Sequence, residues 1–337
     1  MNEYFNKFIQ QNKLDLFRVD PYKLRGQNFF KEIFNYRKEI YNKQKKRIKK
    51  DSQFECNVCK NKKGEIFLTW KKTYKLIKCK RCGAVNSNIS HIDESEFIDS
   101  VYNDKNYTRK VFKAIYKNYN YRKNTFGKER YEYTIKRLKL KSNSKVLDLG
   151  CGFGYFLNYL KTKKINYKGI EPSKNTAEFC KSKLGLNVIS GNLVDEKDYN
   201  YDLITLFDVI EHLKDPCGYF KIINKKLKKN GYCVAYTPNI HSLSYALMGS
   251  DQNTMLPFEH LSFFNDKSFK FLAQKTNFKV YSIETYGFDI MDFMLFKEYN
   301  SKVKYSKKFL TFTRLVQSII DKNNLSNHFR VTFKKIK

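Results

Sequence analysis

Four cysteines pose the first chemical question. Cys56, Cys59, Cys79 and Cys82 follow the order C-x2-C-x19-C-x2-C. Two C-x-x-C knuckles let four sulfurs converge as a tetrahedron, and this spacing fits a four-thiolate zinc site. With cysteine at all four positions no coordination site is left open for catalysis. The ion would supply folding energy that a stretch of about forty residues cannot draw from a core of its own. Redox chemistry or an iron–sulfur cluster is the alternative use of the same thiols. Cys151, Cys180, Cys217 and Cys233 are scattered, and without a secretory leader the pattern speaks for reduced thiols rather than disulfides.

A second constellation lies in VLDLGCGFGYFL, residues 146–157. It reads as a strand, a tight turn and a helix start, with Gly150, Gly152 and Gly154 in the turn. The dinucleotide fingerprint needs its third glycine one residue later, where Tyr155 stands. Glu171 ends the next strand candidate, where an acid can accept hydrogen bonds from both hydroxyls of a ribose. Asn192, in SGNL, follows the third strand and offers an amide to an adenine edge. A third group of residues could do acid–base or metal chemistry: Asp208, Glu211 and His212 in FDVIEHLKDP, and Glu259 and His260 in PFEHLSFF, with His241 upstream.

These residues need a frame, and the pattern from residue 141 supplies one. KVLDLG, NYKGIEP, LNVIS, DLITLFDVI, GYCVAYTPN and KVYSIETYG read as strands, and HFRVTFKK as a late one. YFLNYLKTK, SKNTAEFCKSKL, DPCGYFKIINKKLKKN and KSFKFLAQKTNF read as the helices between them, and residues 288–325 as helical. Such alternation predicts an α/β fold with a mostly parallel sheet covered on both faces. Ligands then bind beyond the carboxyl ends of the strands, where Gly150–Gly154, Glu171 and Asn192 fall. EIFLTW and YKLIK are strand candidates between the cysteine pairs. We therefore expect a basic helical segment over 1–50, a zinc ribbon over 51–92, a helical connector over 93–140 and a cofactor-binding domain over 141–337.

VLDLGCGFG, KGIEPS and LFDVIEHLKDP, in that order, resemble class I S-adenosylmethionine-dependent methyltransferases across roughly residues 130–337. The resemblance implies a seven-stranded Rossmann-like sheet whose last strand enters, antiparallel, between the fifth and sixth. It also implies that Asp148, Gly150, Gly152 and Gly154 surround the methionine part of the donor. Glu171 would hold the ribose, Asn192 would sit by the adenine, and Phe207 would be a further cofactor contact. Many relatives carry Asp at the position of Asn192. S-adenosylmethionine has no pyrophosphate to seat on a helix N-terminus, so the NAD-type glycine spacing is not required. The whole chain is similar to a bacterial subgroup with an N-terminal zinc ribbon, through CKRCGAVNSNISHIDESEFIDSVYNDKNY, a group associated with surface-glycan and small-metabolite pathways.

Methyl transfer is an in-line displacement at an activated carbon, so alignment carries most of the rate. A general base helps where the acceptor is a hydroxyl. The expected catalytic residues are His260 and His212. The E-x-x-E-H spacing of ubiquinone-pathway O-methyltransferases and of small-RNA terminal 2′-O-methyltransferases resembles Asp208–His212, with Asp one methylene shorter than Glu. That resemblance implies magnesium or manganese on Asp208, Glu211 and His212; the alternative is that Glu211 and His212 organise the loop. His260 likewise has loop architecture as its alternative, and Tyr245, Phe263 and Phe264 either line an acceptor pocket or pack.

Composition bounds the partners. The chain has 337 residues, 41% of them hydrophobic, so it can bury a sizeable core. No run approaches the roughly 18–20 apolar residues of a membrane span, and MNEYFNKFIQQNKLDLFRVD has no secretory h-region; the cytoplasm is expected. The formal charge of +33 invites nucleic acid, yet the lysines are dispersed, as compositional bias alone would leave them. QNFFKEIFNYRKEIYNKQKKRIKK places Phe29, Phe30, Ile33, Phe34, Ile40 and Tyr41 near one helical face, a stripe that packs on its own protein or, over residues 27–50, lies on an anionic membrane. A hydroxyl of a sugar or other small metabolite is the expected acceptor. RNA is the runner-up, and a non-catalytic zinc-ribbon scaffold is the third reading.

Overall fold

The computed structural model describes residues 19–26, 28–90, 96, 118–301, 303–305 and 307–336. The expectations for residues 1–18 and for most of 91–117 lie outside these. In chain order the elements begin with helices α1 (Pro21–Arg25) and α2 (Phe29–Gln44). Strands β1 (Gly64–Trp70), β2 (Tyr74–Cys79) and β3 (Val85–Ser87) follow. Helical turns Tyr119–Arg122, Lys123–Gly127, Lys128–Tyr131 and Glu132–Lys136 then run on from one another, the second and fourth with π geometry.

The alternating part starts with β4 (Lys145–Leu149), α3 (Tyr155–Thr162), β5 (Asn166–Glu171), α4 (Lys174–Ser182) and β6 (Val188–Ser190). It goes on through β7 (Tyr201–Phe207), α5 (Pro216–Lys226) and β8 (Leu227–Pro238). After α6 (Leu243–Met248) come β9 (Ser262–Phe263), α7 (Asp266–Lys275) and β10 (Phe278–Tyr286). Helices α8 (Asp289–Ser301) and α9 (Lys307–Lys322) precede β11 (His328–Lys335).

The seven-stranded sheet has the order β10-β11-β8-β7-β4-β5-β6, with β11 between β8 and β10 as expected. Strands β6, β5, β4, β7 and β8 are parallel neighbours. Strands β4 and β7 are buried almost end to end, as strands covered on both faces must be. One expected helix is shorter than its sequence suggests. The amphipathic pattern carries on to residue 230, but α5 stops at Lys226. Leu227 pairs with Tyr201 in the sheet, and the Lys335 ammonium donates to the carbonyls of Asn224 and Leu227. A second sheet, β1-β2-β3-β9, is antiparallel throughout.

The chain forms two compact units, each assembled from non-consecutive stretches. One comprises Lys46–Thr237, His260–Ile283 and Val331–Lys337, and so holds both sheets almost entirely. Its core joins Val146, Leu157, Leu203 and Val234 of the alternating part with Tyr119, Tyr133 and Ile135 of the preceding helical turns. The other comprises Met1–Lys45, Pro238–Glu259 and Glu284–Arg330. There the apolar side of α2 is committed to its own unit: Phe30 and Phe34 meet the Phe296 ring, and Arg37 donates to the carbonyls of Ser250 and Gln252. Arg25 forms a two-bond fork with the buried Asp292 carboxylate at 3.1 Å each.

Candidate functional site

The glycine turn is built where β4 ends. Gly150, Gly152 and Gly154 all take positive φ, at 61°, 52° and 69°. A side chain at Gly150 would also collide with Val209, whose Cγ2 lies 2.7 Å from the place a Cβ would occupy. Gly152 differs: a Cβ there would meet nothing within 4 Å, so this peptide borders open space. The turn is held by Glu171. Its Oε2 accepts from Gly152 N–H at 2.8 Å and its Oε1 from Ser173 N–H at 2.9 Å. One buried carboxylate thus ties the bend after β4 to the end of β5. Burial pushes its pKa up and the two backbone donors oppose that shift.

Asp148 is 2% exposed and accepts a 2.6 Å hydrogen bond from Thr205 Oγ1. Desolvation pushes its pKa up to about 7, against the Thr205 hydrogen bond and the charge of Arg130, and Glu171 adds to the rise. An ionised Asp148 therefore calls for positive charge beside it. A sulfonium donor with an α-ammonium group supplies that, and the open face of Gly152 gives it an approach, so these residues fit S-adenosylmethionine. Asn192 is half-buried and starts the turn after β6, its N–H donating to Asp195 Oδ2 at 2.7 Å. Phe207 ends β7, buried and edge-on to Phe156 and Tyr236.

Arg130 escaped sequence reasoning. Its guanidinium covers the Phe207 ring at 4.3 Å and reaches Asp208 Oδ2 at 3.4 Å. Only the π-turned helical run brings it there, and nothing in the spacing of KERYEY announces that.

The loop after β7 carries the acid–base candidates against the glycine turn, through the Val209–Gly150 approach. Asp208 adopts φ 61°, a left-handed conformation that costs a non-glycine residue about 1 kcal/mol. Its carboxylate faces Arg130. The structure instead gathers Glu211, His212 and His260, whose ligating atoms lie within 4.8 Å of one another. The two imidazoles meet edge to face at 4.9 Å, and His260 is edge-on to Phe263 at 5.8 Å. The metal triad implied for Asp208, Glu211 and His212 thus differs from the observed cluster, in which His260 stands where Asp208 was expected. Glu211 is fully buried. Its Oε2 accepts from Thr237 Oγ1 at 2.9 Å, while Oε1 has no hydrogen-bond partner among the described residues. Burial, and next the Asp208 charge, push its pKa well above the ordinary range.

Of the other residues in the long stretch after β8, Phe264 is core, stacked on Phe269 at 5.3 Å, and Phe263 pairs with Val85 in β9. Tyr245 is half-buried, His241 is exposed, and Glu259 accepts from the Tyr36 hydroxyl.

The four expected cysteine ligands do converge. Cys56 and Cys82 sulfurs are 3.6 Å apart, Cys59 and Cys79 sulfurs 3.4 Å, and all four lie buried within 4.8 Å of one another. Tetrahedral zinc–thiolate bonds of about 2.3 Å place sulfurs roughly 3.8 Å apart, so the donor set fits the ion. The hydrogen bond from Cys82 and the backbone N–H groups of Cys59 and Val58 draw the Cys56 thiol down, while burial pushes Cys59 up and the bond to Cys56, with burial, pushes Cys82 up.

A family model described as a methyltransferase domain matches residues 121–283. A ubiquinone biosynthesis O-methyltransferase of Pelagibacter ubique is 26% identical over 53% of this chain and 82% of its own. One of Rickettsia typhi is 28% identical over 34% of this chain, which spans about half (51%) of that relative. Among solved structures, a SAM-dependent methyltransferase from Archaeoglobus fulgidus is 23% identical at a TM-score of 0.42, covering 61% of this chain and 94% of its own. With the glycine turn, Glu171 and the strand order in place, residues 121–283 are a methyltransferase domain, and the chain is an S-adenosylmethionine-dependent methyltransferase.

Proposed function

We propose that this enzyme transfers a methyl group to a hydroxyl of a sugar or other small metabolite, with His260 as general base and His212 beside it. One observation carries the reading. The loop bearing His212 is pressed against Gly150 of the donor turn, and His260 lies within one imidazole contact of it. A base at that place meets an acceptor arriving at the methyl end of the donor. The names of the curated relatives, ubiquinone biosynthesis O-methyltransferases, support an oxygen acceptor and a small-molecule pathway.

In this reading Asp148, Gly150, Gly152, Gly154, Glu171, Asn192 and Phe207 hold the donor, which when bound supplies the activated methyl. Glu171 fixes the bend, and Asp148 faces the donor's positive charge. Cys56, Cys59, Cys79 and Cys82 hold a structural zinc ion. The same proposal locates the enzyme in the cytoplasm. Among the described residues no helix is long and apolar enough to cross a membrane. The committed apolar face of α2 supports packing over membrane contact for that helix.

The test is a transfer screen with methyl-labelled donor against nucleotide sugars, glycans, phenolic metabolites and RNA. Label on a small-molecule oxygen, lost in His260→Ala with the thermal shift by S-adenosylhomocysteine retained, is the expected result. Label on RNA alone, with binding that weakens steeply as salt rises, would replace the proposal by the nucleic-acid reading. Absence of any thermal shift by S-adenosylhomocysteine would leave the scaffold reading.

A second reading of the same cluster rests on the unpartnered Oε1 of buried Glu211. A divalent cation held by Glu211, His212 and His260 would satisfy it and would acidify the acceptor hydroxyl in place of a base. Manganese then raises the melting temperature of the wild type and not of Glu211→Gln; equal effects on both remove this reading.

A further inference from the structure

The four-cysteine ribbon and the histidine loop share a strand ladder. Strand β3 leaves the second knuckle and pairs with β9, Val85 with Phe263 and Asn86 with Ser262, so the partner strand begins two residues after His260. Buried amides stitch the seam. Asn57, between Cys56 and Cys59, donates from Nδ2 to Ser262 Oγ at 3.0 Å and to Leu261 O at 3.3 Å. Asn86 Oδ1 accepts from Asn57 N–H at 3.0 Å and from Ser262 Oγ at 3.4 Å, while its Nδ2 lies 3.6 Å from Cys56 Sγ. Ser87 N–H donates to Leu261 O, and Leu261 N–H donates to Glu211 O at 2.8 Å. Hydrogen bonds thus run without a break from a cysteine sulfur to the backbone of Glu211. On the far side of β9, Asn265 caps α7 and donates to Gly83 O at 2.7 Å, one residue past Cys82.

We propose that Asn57 and Asn86 are positioning residues: through Leu261 and Ser262 they fix where His260 stands relative to Glu211 and His212, so that the filled cysteine site sets the geometry of the reaction site. The inference rests on the functional reading above. It follows from two physical facts. A buried amide that loses a partner must reorganise, and a two-residue strand has too few ladder bonds to hold a loop alone. A ribbon serving only as a stability element would need none of these side-chain bonds to the segment after His260.

The test uses the 337-residue, zinc-loaded chain and its Asn57→Ala and Ser262→Ala variants. Ser262→Ala removes the hydroxyl from the loop side and leaves both knuckles whole. We expect one zinc per chain and the wild-type thermal shift with S-adenosylhomocysteine in both variants. Amide exchange across residues 260–263 should quicken about tenfold, the His260 imidazole resonance should shift in labelled protein, and kcat should fall more than the acceptor KM rises. Zinc chelation should free the same amides while donor protection at 150–154 persists. Unchanged exchange and an unchanged His260 resonance in Ser262→Ala, or protection of 260–263 that survives chelation, would overturn the proposal. Failure of the functional reading is seen separately, as absence of the donor-induced shift in the wild type.

Discussion

At the scale of single residues, Asp148 carries a pH dependence whose sign is fixed by its burial. The unfolded carboxyl ionises near 3.8, and the folded one keeps its proton to about 7. Below about pH 4 both states are protonated and Asp148 contributes nothing. Between about pH 4 and 7 the folded state binds the extra proton, so stability falls as pH rises, and the full penalty stands above 7. Asp148→Asn can still accept from Thr205 and should raise the melting temperature at pH 8 while weakening S-adenosylmethionine binding; a lower melting temperature would contradict this. Binding a cationic donor favours ionised Asp148, so calorimetry at pH 6 in two buffers of different ionisation enthalpy should show proton release. S-adenosylhomocysteine, uncharged at sulfur, should release less.

The glycines separate fold from ligand in the same way. Gly152→Ala places its methyl in open space and costs about 1–2 kcal/mol of left-handed strain, so it should fold and lose donor affinity. Gly150→Ala adds a collision with Val209 to the same strain and should lower stability further. Equal donor binding by Gly152→Ala and the wild type, measured by calorimetry, would remove that peptide from the donor site. Glu171→Gln should lose one of the two backbone bonds, because its NH2 cannot accept, for about 1–3 kcal/mol. Its stability loss must therefore be measured apart from its donor affinity. The spacing of glycines and acid announced these residues. Arg130 and Thr205 had no such signal, since a π turn and a cross-strand hydroxyl follow from packing that no local period encodes.

At the scale of elements, hydrophobic runs and turn residues marked the strands of the large sheet, the five parallel ones most plainly because buried parallel strands leave long apolar runs, while the place of β11 between β8 and β10 was implied by the family resemblance. Two features were hidden. Strand β9 is only Ser262–Phe263, too short for a period, and its existence depends on β3, far upstream in the chain. The helical run before β4 is interrupted by π turns, with Thr125 and Thr134 hydroxyls donating to the carbonyls of Tyr121 and Arg130. That run lies close on α3: a Cβ at Gly127 would come within 2.4 Å of Tyr155 O, a backbone atom that cannot swing aside. Gly127→Ala should therefore push two helices apart and cost about 1–3 kcal/mol, read as a lower denaturant midpoint. A neutral or stabilising outcome, as helix propensity alone would give, would show that the two helices are not closely seated.

At the scale of the whole molecule, the chain passes back and forth between its units: Pro238–Glu259 and Glu284–Arg330 belong with the N-terminal helices, and the stretches between belong with the sheets. A linear reading finds the ribbon, the donor turn and a last helix over 124–140 laid against the sheet; the structure extends that packing upstream to Tyr119, so that residues 118–136 complete the same core as the alternating strands. The consequence is measurable with fragments. A fragment of residues 141–337 lacks Tyr119, Tyr133 and Ile135 from its core cluster and lacks β3, the partner of β9. Three large side chains at roughly 1.5–3 kcal/mol each remove about as much as the 5–15 kcal/mol that a domain has in total. The fragment should melt without a cooperative transition and show no shift with S-adenosylhomocysteine. Extending it to residue 46 restores the missing core and the ribbon strand, and should restore a cooperative, donor-responsive melt of the sheet-bearing unit. A sharp, donor-responsive melt of 141–337 alone would mean that the strands and helices after residue 141 suffice, and that the helical turns and the ribbon add to a core already able to stand.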